Sequence, residues 1–208
     1  DRNLKMRIGV CGVGTVGSSL MNLIKKNKDE IGRKLEDDIS IHQVASRREN
    51  PQCDLSGINI THDIFQVAVN PNIDVLIELI GGVEDAKELV LLAVKNQKHV
   101  ITANKALIAM HGPEIFSAAR QMGVCVLFEA AVAGGIPIIK SIREGLVGNV
   151  ITRIAGILNG TSNFILSEMA SQKQSRDFYE VLKEAQKKGY AEADPSFDVN
   201  GMDAAHKI

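Results

Sequence analysis

From Met6 onward, short apolar runs alternate with stretches in which apolar residues recur three and four positions apart. "MRIGVCGVG" is strand-like, and "GSSLMNLIKKNKDEI" follows with Leu20, Leu23, Ile24 and Ile31 at helical spacing. "ISIHQVAS" and "IDVLIELIG" read as a second and a third strand, and "AKELVLLAVKNQ" as a helix. "KHVITA" gives a fourth strand, "PEIFSAARQMG" a helix, and "VCVLFEAA" a fifth strand. Nearly continuous apolar strands that alternate with helices require cover on both faces, which only a parallel sheet provides. The pattern predicts an α/β fold.

The texture changes after Glu129. "AVAGGIPIIKSIREGL" is glycine-rich and then helical, "VITRIAGILNGT" reads as a strand, and "SNFILSEMA" and "RDFYEVLKEAQKKG" read as helices. This divides the chain into residues 1–133, a doubly wound parallel sheet, and residues 134–208, the start of an α+β domain. No internal repeat or low-complexity segment interrupts either part.

Composition narrows the partners. Hydrophobic residues make up 45% of the chain and the formal net charge is -1. That leaves no basic field for a polyanion, so neither nucleic acid nor an anionic membrane is expected as a partner. The apolar runs are strand-sized, well short of the ~20 residues that span a bilayer. Cys11, Cys53 and Cys125 are odd in number and lack C-x-x-C spacing, which points to a reducing compartment rather than a disulfide framework. The opening "DRNLKMRIG" lacks the apolar core of a signal peptide, so a cytoplasmic location is expected.

Gly12-Val13-Gly14-Thr15-Val16-Gly17 follows the first strand and opens the first helix. In that setting G-x-G-x-x-G marks a Rossmann-type dinucleotide site: a tight turn, close backbone approach to a pyrophosphate, and a helix N-terminus facing the anion. The second strand ends Ala45-Ser46-Arg47-Arg48, where an NAD-specific site carries an acid. Guanidiniums suit a 2′-phosphate, so NADP is the expected cofactor, with NAD possible; exposed surface arginines are the plainer alternative. Thr102-Ala103-Asn104-Lys105 follows the fourth strand at the edge where such sheets bind ligands, and Lys105 is open to a ligand role or an ordinary loop role. Glu129 closes the fifth strand before Ala133-Gly134-Gly135, whose carbonyls can face a ligand or a cation, or simply form the interdomain bend.

Asn159-Gly160-Thr161-Ser162-Asn163 reads first as a helix-capping turn. The closing stretch gathers Glu192, Asp194, Asp198 and Asp203 ahead of Lys207. Asn200 as a helix cap and an Asp203–Lys207 pair one turn apart account for part of it. Glu192 and Asp198 have no such explanation.

Taken together, "GVCGVGTVG", "VITANKALIA", "EAAVAGGIPII", "GILNGTSNFIL" and "GYAEADPSFDVNGMDAAHKI" resemble homoserine dehydrogenase, in that family's order and over nearly the whole chain. The last stretch is the most specific, because a generic dinucleotide-binding protein has no reason to carry it. The resemblance implies NAD(P)-dependent interconversion of L-homoserine and L-aspartate 4-semialdehyde. It implies cofactor contacts from Gly12, Gly14, Thr15, Val16, Gly17, Arg47, Thr102, Lys105 and Gly189, with Lys105 also near the reacting carbon. Glu129 and the carbonyls of Val132, Gly134 and Ile136 match the family's monovalent cation site, usually sodium. Glu192 and Asp203, supported by Asp198, match the residues holding the substrate's amino-acid end, and Lys207 matches the proton-transferring lysine. Family members are typically homodimers and continue past this helix, so residues 134–208 are expected to be only the first part of the catalytic domain. A different semialdehyde reductase and a non-catalytic dinucleotide sensor are the competing functions. The second of these leaves Lys207 beside Glu192 unexplained.

Replacing Arg47 with Ala is expected to weaken NADP binding far more than NAD binding. Equal losses, measured by titration of each dinucleotide, would remove the 2′-phosphate assignment.

Overall fold

The computed structural model describes residues 5–36, 38–48, 50, 53–171, 176–191 and 194–208. It forms two compact units, Asp1–Gly135 and Ile136–Ile208. The first unit runs β1 (Met6–Cys11), α1 (Thr15–Lys26), α2 (Lys28–Leu35), β2 (Ile39–Ala45), β3 (Asn59–Thr61), α3 (Ile64–Val69), β4 (Val75–Glu78), α4 (Glu84–Lys95), β5 (His99–Thr102), α5 (Lys105–Met122) and β6 (Val126–Leu127). The strands form one sheet in the order β3-β2-β1-β4-β5-β6, and every neighbouring pair is parallel. The order reverses between β1 and β4, the switch point at which doubly wound sheets bind ligands.

Strand alternation fills two cores. Cys11, Ala45, Leu76 and Val100 face one side of the sheet with Leu89, Val90, Leu107 and Ile115 of the helices. Ile8, Val10, Val44, Val75 and Ile77 face the other with Met21. Burying each such side chain fully is worth about 1.5–3 kcal/mol relative to exposure, which accounts for runs such as Val75-Leu76-Ile77 that are apolar on both faces of the sheet.

Several elements depart from the expected pattern. The first helix breaks at Asn27, which ends α1 and begins α2 (φ -107, ψ 17); asparagine favours such cap positions because its side chain competes with the helical backbone. The helix expected from Pro113 starts at Lys105 instead, because Asn104 caps it, accepting from Leu107 N at 3.0 Å, and Pro113 is carried inside. The strand "VCVLFEAA" is paired only at Val126–Leu127. Phe128 turns away to pack on Phe116, with ring centroids 5.2 Å apart, so Glu129 opens a 3-10 turn instead of closing the strand. β3 and α3 were not expected: a three-residue strand is too short to show a period, and α3 is capped by Asp63, which accepts from Phe65 N at 2.9 Å.

The second unit holds α6 (Ile138–Lys140), which widens into a π-type turn over Ser141–Gly145, then α7 (Gly160–Met169), α8 (Phe178–Lys187), α9 (Ser196–Val199) and α10 (Met202–Lys207). Ile165, Val181, Ala185 and Ala191 form its core between α7 and α8. The strand expected over "VITRIAGILNGT" is not formed among the described residues; positions 150–159 carry no regular structure. A strand needs a hydrogen-bonded neighbour for its backbone groups, and none is paired with it here.

At the amino edge of the sheet, Arg7 N, Nε and Nη2 donate to Asp74 at 2.9, 3.0 and 2.7 Å, tying β1 to the entry of β4. The hydrogen bond from the Arg7 side chain holds the Asp74 carboxyl below its usual range, against an opposing effect of burial. A depressed folded value means that this contribution is complete above the unfolded carboxyl value of about 4 and is lost as pH falls through the folded one. Asp74→Asn should therefore lower Tm near neutral pH. The difference from the native protein should shrink below pH of about 4 in a pH series of thermal melts.

Candidate functional site

The register of the sheet builds the first part of the site. Cys11 pairs with Ala45 and with Glu78, and Glu78 pairs with Thr102, so four strands end in one row. The residues that follow them share that edge. Gly12 has φ +101, and a Cβ there would lie 2.5 Å from the Leu79 carbonyl oxygen; a Cβ on Gly17 would lie 2.1 Å from the Gly12 carbonyl oxygen. Both contacts are to backbone, so neither can be relieved by moving a side chain. Gly14 has nothing within 4 Å of its Cβ position and begins α1 with no capping side chain and no acid in the first turn. Peptide dipoles at that end favour an anion, and the open space at Gly14 admits one.

A cavity of about 530 Å³ lies against this turn, lined by Gly12, Gly14, Ser46, Arg47, Arg48 and Asn50 among others. Asn50 Nδ2 donates to Val13 O at 2.7 Å and fixes the turn to the segment after β2. Arg47 Nη2 donates to Asp85 Oδ2 at 3.0 Å, with both side chains exposed. Such an exposed pair holds a guanidinium only weakly.

A second cavity of about 340 Å³ is lined by Val16, Glu78, Leu79, Gly81, Asn104 and Lys105 among others. Thr15, also expected at the cofactor, is the first residue of α1 and is exposed. Thr102, expected at the cofactor as well, is fully buried. Its hydroxyl donates to Glu78 Oε2 at 2.5 Å and accepts from Asn104 N at 2.9 Å, so its side chain supports the cavity wall from behind. Glu78 Oε1 accepts from Ile80 N at 2.9 Å, and Asn104 Nδ2 donates to Gly82 O at 2.6 Å. These bonds join the loop after β4 to the start of α5, where Lys105 is the first residue.

Glu129 and Val132 are half-buried, and Ala133 and Gly134 both have φ near +58. Ile136 begins the second unit, and its carbonyl accepts from Ile138 N at 2.8 Å. Among the described residues no group of three His, Cys, Asp or Glu side chains is placed to hold a metal ion. A site built on carbonyls around one carboxylate is of another kind.

The second unit brings Asp198, Asp203 and Lys207 together. Lys207 Nζ donates to Asp203 Oδ2 at 2.6 Å and to Leu158 O at 2.7 Å. Asn159 Nδ2 donates to Asp203 Oδ2 at 2.7 Å and to Asp198 Oδ1 at 2.8 Å. Asp203 is buried on the first turn of α10, whose cap is Gly201 (φ +83); Asn200 accepts from Met202 N at 3.1 Å. Gly189, φ +74, ends α8 in the left-handed conformation that this reversal requires. Glu192 lies outside the described residues.

Residues 12–129 match the family model "Homoserine dehydrogenase, NAD binding domain", and residues 137–208 match "Homoserine dehydrogenase". The chain belongs to the homoserine dehydrogenase family. It is 60% identical over 203 residues to the homoserine dehydrogenase of Pseudomonas aeruginosa, covering 98% of this chain and 46% of that one. A solved homoserine dehydrogenase from Thiobacillus denitrificans superposes with a TM-score of 0.86 at 52% identity, covering 98% of this chain and 47% of that one. A hyperthermophilic archaeal homoserine dehydrogenase, solved in complex with NADPH, has a TM-score of 0.79 at 25% identity, covering 98% and 67%. The chain thus spans about half the length of the curated relatives it matches. Among the described residues no helix is long and apolar enough to cross a membrane.

Two residues of this chain escaped sequence reasoning. Glu78 is an acid closing the otherwise apolar strand "VLIE", and a buried acid must find donors; that mismatch was the available signal. Asn159 was legible as a helix cap but not as the donor to both aspartates, because those partners lie 39 and 44 residues away.

The glycines separate binding from folding. Gly14→Ala should keep Tm and lose dinucleotide affinity by about tenfold or more, because only a ligand fills that space. Gly17→Ala should lower Tm as well. Calorimetric melts with NADPH titrations check both, and a Gly14→Ala protein that binds normally would remove the pyrophosphate assignment.

Proposed function

We propose that this chain is the cofactor-binding domain and the opening part of the catalytic domain of an enzyme that interconverts L-homoserine and L-aspartate 4-semialdehyde with NADP(H). The observation that carries the reading is Lys207 held by Asp203 beside Asp198, in a chain whose other unit has an uncapped, glycine-lined helix N-terminus. The residues fit a dinucleotide: an anion site without a competing acid, and guanidiniums where a 2′-phosphate would lie.

In this reading Gly12, Gly14, Thr15, Val16 and Gly17 receive the pyrophosphate, Arg47 leaves Asp85 for the 2′-phosphate, and Lys105 and Gly189 complete the cofactor contacts. When bound, the nicotinamide supplies or accepts the hydride. Lys207 handles the proton: on oxidation its neutral amine takes the proton of the substrate hydroxyl, and on reduction its ammonium returns one to the carbonyl oxygen. Asp203 keeps the lysine oriented. Asp198, Asp203 and Glu192 receive the substrate ammonium, whose charge is opposite to theirs. A monovalent cation at Glu129 and the carbonyls after it belongs to the same reading. Val147, Val150, Ile154 and Ile157 stand exposed, which fits a segment covered by the remainder of a longer chain or by a second copy in a homodimer.

The test is homoserine-dependent NADPH formation by the full-length protein. Lys207→Ala should lower kcat by ~10²–10⁴-fold with cofactor affinity nearly unchanged, as expected for a positioned proton-transfer group. Near-normal kcat in Lys207→Ala beside an inactive Lys105→Ala would move the proton-transfer role to Lys105.

A further inference from the structure

Asn159 has a side-chain amide with one acceptor and two donor hydrogens, and the structure uses all three. Its Oδ1 accepts from Ser162 N at 2.7 Å, which caps α7 and fixes the orientation of the amide plane. With the oxygen fixed, both hydrogens on Nδ2 point the other way, toward Asp203 Oδ2 at 2.7 Å and Asp198 Oδ1 at 2.8 Å. A second tie comes from the same turn: Ser162 Oγ donates to Asp198 O at 2.8 Å. The residue before Asn159 supplies the remaining contact, since Leu158 O accepts from Lys207 Nζ at 2.7 Å. Asn159 is 9% exposed and Asp203 is 7% exposed, so water has little access to replace these bonds.

We infer that Asn159 is a positioning residue for Lys207, acting through Asp203, in addition to capping α7. The inference rests on the proposed function for its catalytic consequence. The physical case is that two carboxylates on separate short helices, α9 and α10, repel each other. A neutral donor placed between them offsets that repulsion and fixes their separation without adding charge. The same Asp203 oxygen that accepts from Asn159 also accepts from Lys207. Loss of the Asn159 donor frees that carboxylate to rotate, and the ammonium follows it. Among natural side chains of this size, aspartate would cap α7 equally well but would add a third negative charge. Serine would cap it but has a single hydroxyl hydrogen and cannot donate to both carboxylates.

That difference separates the two roles. Asn159→Ser in the full-length protein keeps a capping oxygen and loses the double donor, whereas Asn159→Ala loses both. Two readouts are taken. One is the steady-state kcat for homoserine oxidation alongside the KM for the dinucleotide. The other is the rate of Lys207 acetylation by limiting acetic anhydride, followed by mass spectrometry with Lys95 as internal reference. For Asn159→Ser, kcat should fall about tenfold or more and Tm should drop because buried carboxylate oxygens lose their donor, while dinucleotide KM stays near its native value and Lys207 labelling rises severalfold relative to Lys95. Asn159→Ala should add a further loss of Tm. Unchanged Lys207 labelling overturns the inference, and so does a kcat within about twofold of native. If the native protein does not turn over homoserine, the proposed function fails, and the labelling comparison alone decides whether Asn159 positions Lys207.

Discussion

The first unit depends on a backbone contact that only glycine permits. Gly12 passes close to the Leu79 carbonyl and Gly17 lies against Gly12, so β1, its turn and α1 approach β4 more closely than any side chain would allow. That approach sets the parallel register in which Cys11, Ala45, Glu78 and Thr102 end together. Each functional group of the first unit follows from that row: the open helix end at Gly14, the guanidiniums after β2, and Lys105 at the head of α5. The buried Glu78–Thr102–Asn104 chain of hydrogen bonds then holds the far wall. Buried bonds of this kind matter less for net stability than for the cost of leaving any member unpaired.

The second unit solves a different problem, since it gathers negative charge at low exposure. Asp198 and Asp203 are kept together by a neutral amide on one side, and Lys207 compensates the more buried of the two. Removing one partner from such a cluster leaves a charge both desolvated and unpaired, which is costly. A group arranged in this way can present carboxylates to an ammonium and an amine to a hydroxyl from the same few residues. A solvated acidic loop would instead leave these side chains exposed, and Asp203 is buried.

Much of this was legible in the sequence because it is local. Gly12 to Gly17 follow a strand and open a helix, and that order alone specifies the turn. Asp203 and Lys207 lie one helical turn apart, so their pairing could be read from spacing. Asn159 as a cap was legible for the same reason. What was hidden is mostly long-range: the bonds from Asn159 to Asp198 and Asp203, and the role of Thr102 behind the cavity wall; the Asn104 cap that starts α5 ahead of Pro113 is local and was missed. The strand expected from "VITRIAGILNGT" has the composition of a strand, but pairing is a tertiary property that apolar residues do not specify by themselves. Glu129 was misread by two residues because Phe128 packs on Phe116 and ends the ladder early.

Lys207, oriented by Asp203, is proposed as the group that exchanges a proton with the substrate. A crystal structure of the full-length protein with NADPH and homoserine tests it most directly. The account predicts the pyrophosphate against the amides that open α1, and the homoserine hydroxyl within hydrogen-bond reach of Lys207 Nζ, roughly 2.6–3.2 Å. A substrate whose hydroxyl meets Lys105 instead, with Lys207 Nζ beyond hydrogen-bond reach of it, would contradict it.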